Sequence, residues 1–197
     1  MKIVFASGNL GKIQELKLAL AHTSIHLIPQ SDFNVTEVAE TGLTFIENAL
    51  IKARHAAAAT GLPAIADDSG LEVAALHGAP GIYSARFSGD EATADENNQT
   101  LLAKMQHIPI GKRQARFYCA LVYLAHAKDP TPIIAEASWS GEILLAPVGE
   151  KGFGYDPIFY DPIEKSSAAA LDPQKKLAIS HRGKALELFI QKLIHIL

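Results

Sequence analysis

The sequence predicts an α/β protein with a mixed, twisted sheet flanked by helices. Three observations carry this. Lys2-Ile3-Val4-Phe5-Ala6 is a short apolar run that leads through Ser7-Gly8-Asn9-Leu10-Gly11-Lys12 into an amphipathic segment, the strand, loop and helix order of an α/β unit. Pro63-Ala64-Ile65-Ala66 is a second such run, and it ends on Asp67-Asp68-Ser69-Gly70, as a buried strand ends at the rim of an open sheet. Ala115 to Leu124 and Ile133 to Trp139 are two strand-like runs around a short Asp129-Pro130 turn. They suggest an antiparallel hairpin, which makes the sheet mixed.

Size and composition narrow the function. The chain has 197 residues, 48% hydrophobic and 20% charged, which suits one domain or two lobes sharing a sheet. A net charge of −3 offers no broad basic surface, which argues against a nucleic-acid partner. An anionic ligand must therefore be small and met by a few placed Lys and Arg residues. Cys119 is the one cysteine. It reads as a core residue with no disulfide partner in the chain, in keeping with a reducing cytosol. No run reaches the roughly 20 apolar residues of a membrane helix, and the N-terminus is unlike a signal peptide. A cytoplasmic protein without a membrane partner is expected.

In chain order, the first strand is followed by Ser7 to Lys12 and a helix with Ile13, Leu16 and Leu20 on one face. A glycine-bearing loop at a helix N-terminus is either an ordinary turn or an anion site, where free backbone N–H groups favour phosphate. Lys12 would add a positive charge. The P-loop pattern is not met, because Ile13 stands where Ser or Thr belongs. His26-Leu27-Ile28 is a second strand closed by Pro29, and Val35 to Val38 is an irregular link. Thr44-Phe45-Ile46-Glu47 is a capping box that starts a helix running to about Thr60, stopped by Gly61. Phe45, Ile46, Ala49, Leu50 and Ala53 form its apolar face, with Asn48 and Lys52 on another.

The Asp67-Asp68 pair is either solvated turn chemistry or a cation site. Adjacent carboxylates are costly to bury without a cation, and Asp oxygens suit Mg²⁺. Glu40 precedes the helix that leads back to this stretch, so it is either a solvated loop residue or a second carboxylate at the same place. Gly78-Ala79-Pro80-Gly81 reads as a rigid loop. Thr93-Ala94-Asp95-Glu96 heads a helix with Leu101, Leu102 and Met105 inward. Ser140-Gly141 reads as a turn. Gly152-Phe153-Gly154-Tyr155-Asp156-Pro157 is either a packed aromatic loop or a face on which a purine can stack. Asp172-Pro173 starts a short helix carrying Lys175 and Lys176. Ser180-His181-Arg182-Gly183 interrupts it before a last helix with Leu186, Phe189, Leu193 and Ile194 as its stripe. The other histidines, from His22 to His195, lack metal-ligand spacing.

Six stretches together carry a family resemblance. They are Ser7 to Lys12, Glu40 to Ala49, Ala66 to Gly70, Gly78 to Arg86, Phe153 to Pro157 and Ile179 to Gly183. In these the chain resembles the inosine triphosphate pyrophosphatase family, in particular its bacterial members acting on non-canonical purine nucleoside triphosphates. The resemblance implies two α/β lobes within one domain spanning residues 1–197, with a nucleotide cleft between them. It implies a homodimer, a Mg²⁺ requirement, and hydrolysis of ITP, dITP or XTP to the monophosphate and pyrophosphate. Asp68 matches the proton acceptor and a metal ligand, and Glu40 the second metal carboxylate. Ser7, Gly8, Asn9, Leu10, Gly11 and Lys12 match the triphosphate loop, with Lys52 a further phosphate contact. Ser69, Phe153, Gly154, Tyr155, Asp156, Lys176, His181 and Arg182 match substrate-binding positions. On that reading Arg182→Ala loses base discrimination more than folding. The family usually has Thr at Ser7, where the hydroxyl survives, and more acidic residues at Ala170, Gln174 and Lys175. The alternatives are a Maf-like pyrophosphatase with other base preferences and a non-catalytic nucleotide-binding protein.

Overall fold

A computed structural model describes residues 1–194, and His195 lies outside them, as does the Ile194 side chain. The strands are β1 (Lys2–Phe5), β2 (His26–Pro29), β3 (Ala64–Val73), β4 (Gln114–Leu124), β5 (Ile133–Ile143), β6 (Phe159–Asp161) and β7 (Ser166–Ser167). The helices are α1 (Leu10–Leu20), α2 (Phe45–Thr60), α3 (Ala94–Lys104), α4 (Pro173–Ile179) and α5 (His181–Ile194). The seven strands form one sheet in the order β2-β1-β3-β4-β5-β6-β7. It is mixed: β1 runs parallel to β2 and β3, while β6 runs antiparallel to β5 and β7.

The chain forms two compact units. The first comprises Met1–Asp68, Cys119–Ala137 and the chain from Arg182 onward. Its core sets an alanine face of α2 (Ala49, Ala53, Ala56, Ala57) with Val4, Ala6, Ala64, Ala66, Val122 and Leu124. Side chains this small let a helix lie close to the strands it covers. Helix α2 opens on the expected capping box, Thr44 with Glu47, and closes on Gly61 in the left-handed region at φ +68°, a conformation that glycine adopts without Cβ strain. The apolar stripe of α1 is Ile13, Leu16 and Leu20, as its spacing predicts. Asn48 departs from expectation. It is fully buried, because its side chain turns back to hold the segment before the helix.

The second unit comprises Ser69–Tyr118 and Ser138–His181. Its core is aromatic. Phe117 lies 4.5 Å from Phe159, and Trp139 lies 4.9 Å from Phe159, ring centre to ring centre. Leu71, Leu101, Met105 and Ile158 complete it. Trp139 donates its indole N–H to Asp161 at 2.7 Å, which satisfies the buried polar edge. Arg113 is buried and donates to the carbonyls of Met105, Ile108, Ile143 and Leu144, fastening the end of α3 to the end of β5.

Three further boundaries differ from the sequence reading. Strand β3 does not stop at Asp67-Asp68 but continues to Val73, since cations meet both carboxylates and the strand can carry them. Ser140 and Gly141 lie inside β5 rather than in a turn. A Cβ on Gly141 would sit 2.4 Å from the Tyr160 carbonyl oxygen, so this glycine serves close packing, not chain reversal. The break between α4 and α5 is confined to Ser180, and His181, Arg182 and Gly183 form the first turn of α5.

Candidate functional site

In the first unit, the two adjacent aspartates of β3 meet different cations. Asp67 is fully buried and accepts from Arg182 Nε at 3.0 Å and from the Cys119 thiol at 3.1 Å. Lys12 pairs with its other oxygen. Arg182 in turn pairs through Nη1 with Glu15 of α1. Burial alone would raise the Asp67 carboxyl, but Arg182 and Lys12 outweigh it and hold it well below the usual carboxylate range. Burial, together with the neighbouring Asp67 charge, pushes the Cys119 thiol well up. The cysteine is thus a protonated donor inside the core.

Asp68 belongs to a separate cluster. Lys52 Nζ lies 2.7 Å from Asp68 Oδ1 and 2.8 Å from Glu40 Oε1. Two carboxylates from distant parts of the chain therefore converge on one ammonium. Burial favours neutral lysine, but Asp68 and Glu40 together raise Lys52 and keep it charged. For Asp68, burial wins over Lys52 and Lys12, and its carboxyl is raised. Neighbouring aspartates are thus driven in opposite directions, Asp67 downward by its cations and Asp68 upward by burial. Asp68 Oδ2 is buried and has no hydrogen-bond partner among the described residues.

The segment carrying Glu40 is fastened to α2. Gly42 N–H donates to Asn48 Oδ1 at 2.8 Å, and the N–H groups of Leu43 and Thr44 donate to Glu47 Oε2 at 2.8 and 2.9 Å. A Cβ on Gly42 would sit 2.5 Å from Glu47 Cβ and 2.8 Å from Asn48 Oδ1, so only glycine fits here. Lys52 lies one turn beyond Asn48 on the same face. Helix α2 thus positions both Glu40, through the bonds of its first turn, and the cation Lys52, one turn further on.

The Ser7 to Lys12 stretch divides between a loop and a helix start. Asn9 caps α1 by accepting from Lys12 N–H at 3.1 Å, and Asn9 N–H donates to Ser7 Oγ at 3.2 Å. Leu10 and Gly11 open the helix, where N–H groups have no intrahelical acceptor. Gly8 lies against Glu37, whose Oε1 would be 2.9 Å from a Cβ there.

The second unit holds the other expected residues. Lys176 Nζ is bonded to Asp156 Oδ2 at 2.7 Å and sits 4.9 Å from the Phe153 ring centre, a cation–π arrangement. Phe153 N–H donates to the same Asp156 oxygen at 2.8 Å. Gly154 takes φ +62°, and Tyr155 is buried with its hydroxyl donating to the Ser84 carbonyl at 2.8 Å. His181 is buried and stacks on Phe117 at 4.8 Å. Ser69 follows Asp68 in β3, half-buried.

Eight of the expected residues fall into three assemblies: Lys12 with Arg182 around Asp67; Glu40, Lys52 and Asp68; and Phe153, Asp156 and Lys176. Glu15 and Asn48 were not among the expected site residues, and Asp67 was expected only as half of the Asp67-Asp68 pair, without a role of its own. The Asp67-Asp68 doublet and the Lys12/Glu15 spacing on α1 were the available signals.

Fold and side chains together define an α/β protein in which two adjacent buried carboxylates, Asp67 and Asp68, are each met by basic side chains. The chain belongs to the Ham1 family, whose model matches residues 3–192. It is 56% identical over 192 residues to a dITP/XTP pyrophosphatase of Shigella flexneri, covering 98% of each chain. The dITP/XTP pyrophosphatase of Escherichia coli K12 matches to the same extent, 56% over 192 residues. Among solved structures, a HAM1 protein from Coxiella burnetii superimposes with a TM-score of 0.92 at 49% identity, covering 99% of both chains. The Staphylococcus aureus Ham1 protein gives 0.88 at 40% identity over the full length of both.

Proposed function

We propose that this chain is a dITP/XTP pyrophosphatase: it hydrolyses non-canonical purine nucleoside triphosphates to the monophosphate and pyrophosphate. The observation that carries the reading is the convergence of Glu40 and Asp68 on one cation, in a chain alike along 98% of its length to enzymes of that name.

The donors fit a magnesium ion. Both are carboxylate oxygens, and Asp68 Oδ2 is buried without a hydrogen-bond partner among the described residues. Among the described residues no group of three or more His, Cys, Asp or Glu is set for a metal. Mg²⁺ keeps waters and substrate oxygens in its shell and needs only one or two protein carboxylates. Glu40 and Asp68 would hold it, and when bound it offsets phosphate charge.

The chain's own residues supply the rest. The N–H groups opening α1, together with Ser7, Gly8, Asn9, Leu10 and Gly11, receive phosphate oxygens. Lys12 and Lys52 neutralise the polyphosphate. Asp68, its carboxyl raised by burial, takes the proton from the attacking water. Phe153 offers a ring for base stacking, with Gly154, Tyr155 and Asp156 shaping its loop and Ser69 lining the approach. Lys176 and Arg182 only donate, and His181 can donate too. These side chains match the oxygen at C6 of hypoxanthine and xanthine and disfavour the amino group of adenine. The expected nucleotide cleft, the homodimer and the cytoplasmic location belong to the same proposal, supported by the family resemblance. No helix among the described residues is long and apolar enough to cross a membrane.

The test is product analysis with ITP, XTP, GTP and ATP, with and without Mg²⁺. Monophosphate and pyrophosphate from ITP and XTP, with Mg²⁺ only, are expected. Orthophosphate and diphosphate would refute the reading.

A further inference from the structure

We propose that Asn98 is a positioning residue for the Phe153–Asp156 loop and thereby sets substrate affinity. The inference rests on the assignment of that loop to the substrate. Asn98 is buried on α3 and donates from Nδ2 to the Gly154 carbonyl at 3.0 Å. Its Oδ1 is also buried, with no hydrogen-bond partner among the described residues. As a stabiliser this side chain is a poor choice. A neutral hydrogen bond contributes less than a buried acceptor without a donor loses, so an apolar residue of similar volume would serve folding as well.

The neighbouring Asn97 makes the contrast. It is equally buried, yet both ends of its amide are used: Nδ2 donates to Ala85 O at 3.0 Å and Oδ1 accepts from Ser88 N–H at 2.8 Å. Asn97 is therefore a structural tie. Asn98 instead holds one carbonyl, at the residue whose left-handed turn sets the direction of the chain between Phe153 and Tyr155. Other bonds that hold the loop start from its flanks: Phe153 N–H donates to Asp156 Oδ2, Asp156 N–H donates to the Phe153 carbonyl at 3.3 Å, and the Tyr155 hydroxyl donates to Ser84; none of these engages the Gly154 carbonyl that Asn98 holds. Without the Asn98 bond the 154 peptide can rotate, and the Phe153 ring then leaves its place against Lys176. Asn98 acts through Gly154 and touches no substrate itself.

The experiment compares N98L, N97A and F153A in the full chain by thermal midpoint, steady-state kinetics with ITP, and amide hydrogen exchange at Phe153 and Asp156. N98L is expected to keep its midpoint, to exchange faster at those two amides, and to raise KM about three- to tenfold, the value of one hydrogen bond, with kcat nearly unchanged. N97A is expected to lower the midpoint while exchange at Phe153 and Asp156 holds. Should N98L not fold, N98A replaces it with the same expectations for exchange and KM. Unchanged exchange at the two amides overturns the proposal. So does faster exchange with an unchanged KM where F153A does raise KM. If F153A also leaves KM unchanged, the failure lies in assigning the loop to substrate, and the Asn98 inference falls with it.

Discussion

Removing Arg182 should strike folding first. Its side chain is 2% exposed and bridges Asp67, whose side chain is fully buried, and Glu15, which is 19% exposed. Arg182→Ala leaves Asp67 with Lys12 and the Cys119 thiol, and Glu15 without this partner. Breaking a buried ion pair from one side typically destabilises by about 3–5 kcal/mol. Because Lys12 still neutralises Asp67, the lower end applies, about 3 kcal/mol. For a chain of this size that is roughly 6–12 °C in Tm, a large fraction of ordinary domain stability. Arg182→Lys keeps a charge but not the fork that reaches both carboxylates, and should lose about half as much. Urea unfolding of the three proteins at neutral pH measures this. A loss under about 1 kcal/mol for Arg182→Ala would refute the claim that the Asp67 network holds the first unit together. From sequence, the substitution was expected to harm base discrimination more than folding. The burial of the guanidinium between two acids reverses that order, so discrimination is better read in Arg182→Lys.

Asp68→Asn should keep the fold, because an amide oxygen still accepts from Lys52, while turnover falls about 10²–10⁴-fold for want of a base. Near-normal turnover in a well-folded variant would exclude Asp68 from that role. Gly42→Ala should lose about 1–3 kcal/mol through the collision with Glu47 and Asn48. It should also shift the Mg²⁺ concentration for half-maximal activity upward, since Glu40 sits two residues away; an unchanged melt and Mg²⁺ response would contradict this. The N–H groups of Ala125 and Thr131 lower the Asp129 carboxyl below its ordinary value of 3.8. A depressed carboxyl stabilises the fold above that value and loses the effect as pH falls through its lower, folded value. Asp129→Asn should therefore lose about 1 kcal/mol near pH 7 and progressively less on acidification below about pH 4. A difference in melting temperature that grows with acid would reverse the sign of the argument.

Most elements were legible because their signals are local. Thr44 with Glu47 and Thr93 with Glu96 form their capping boxes within four residues, and Asp172-Pro173 starts α4 by the same short-range chemistry. The α1 stripe needs only helical spacing. Misreadings arose where a distant neighbour decides. Gly141 has the composition of a turn but sits in a strand because Phe159 and Tyr160 press on it. Asn48 was placed on a face apart from the apolar stripe, yet it is buried, its Oδ1 accepting from the Gly42 N–H.

What the sequence determined by itself was the inventory: an α/β chain, its helix starts, and a set of carboxylates and cations with the spacing of a known family. Which carboxylate meets which cation was decided only by tertiary structure. Asp67 and Asp68 have the same chemistry and adjacent positions, yet one is held ionised by Arg182 from 115 residues away and the other is raised by burial beside Lys52. Alternation along β3 sends the two side chains to opposite faces of the strand, and what waits on each face is a property of the folded chain.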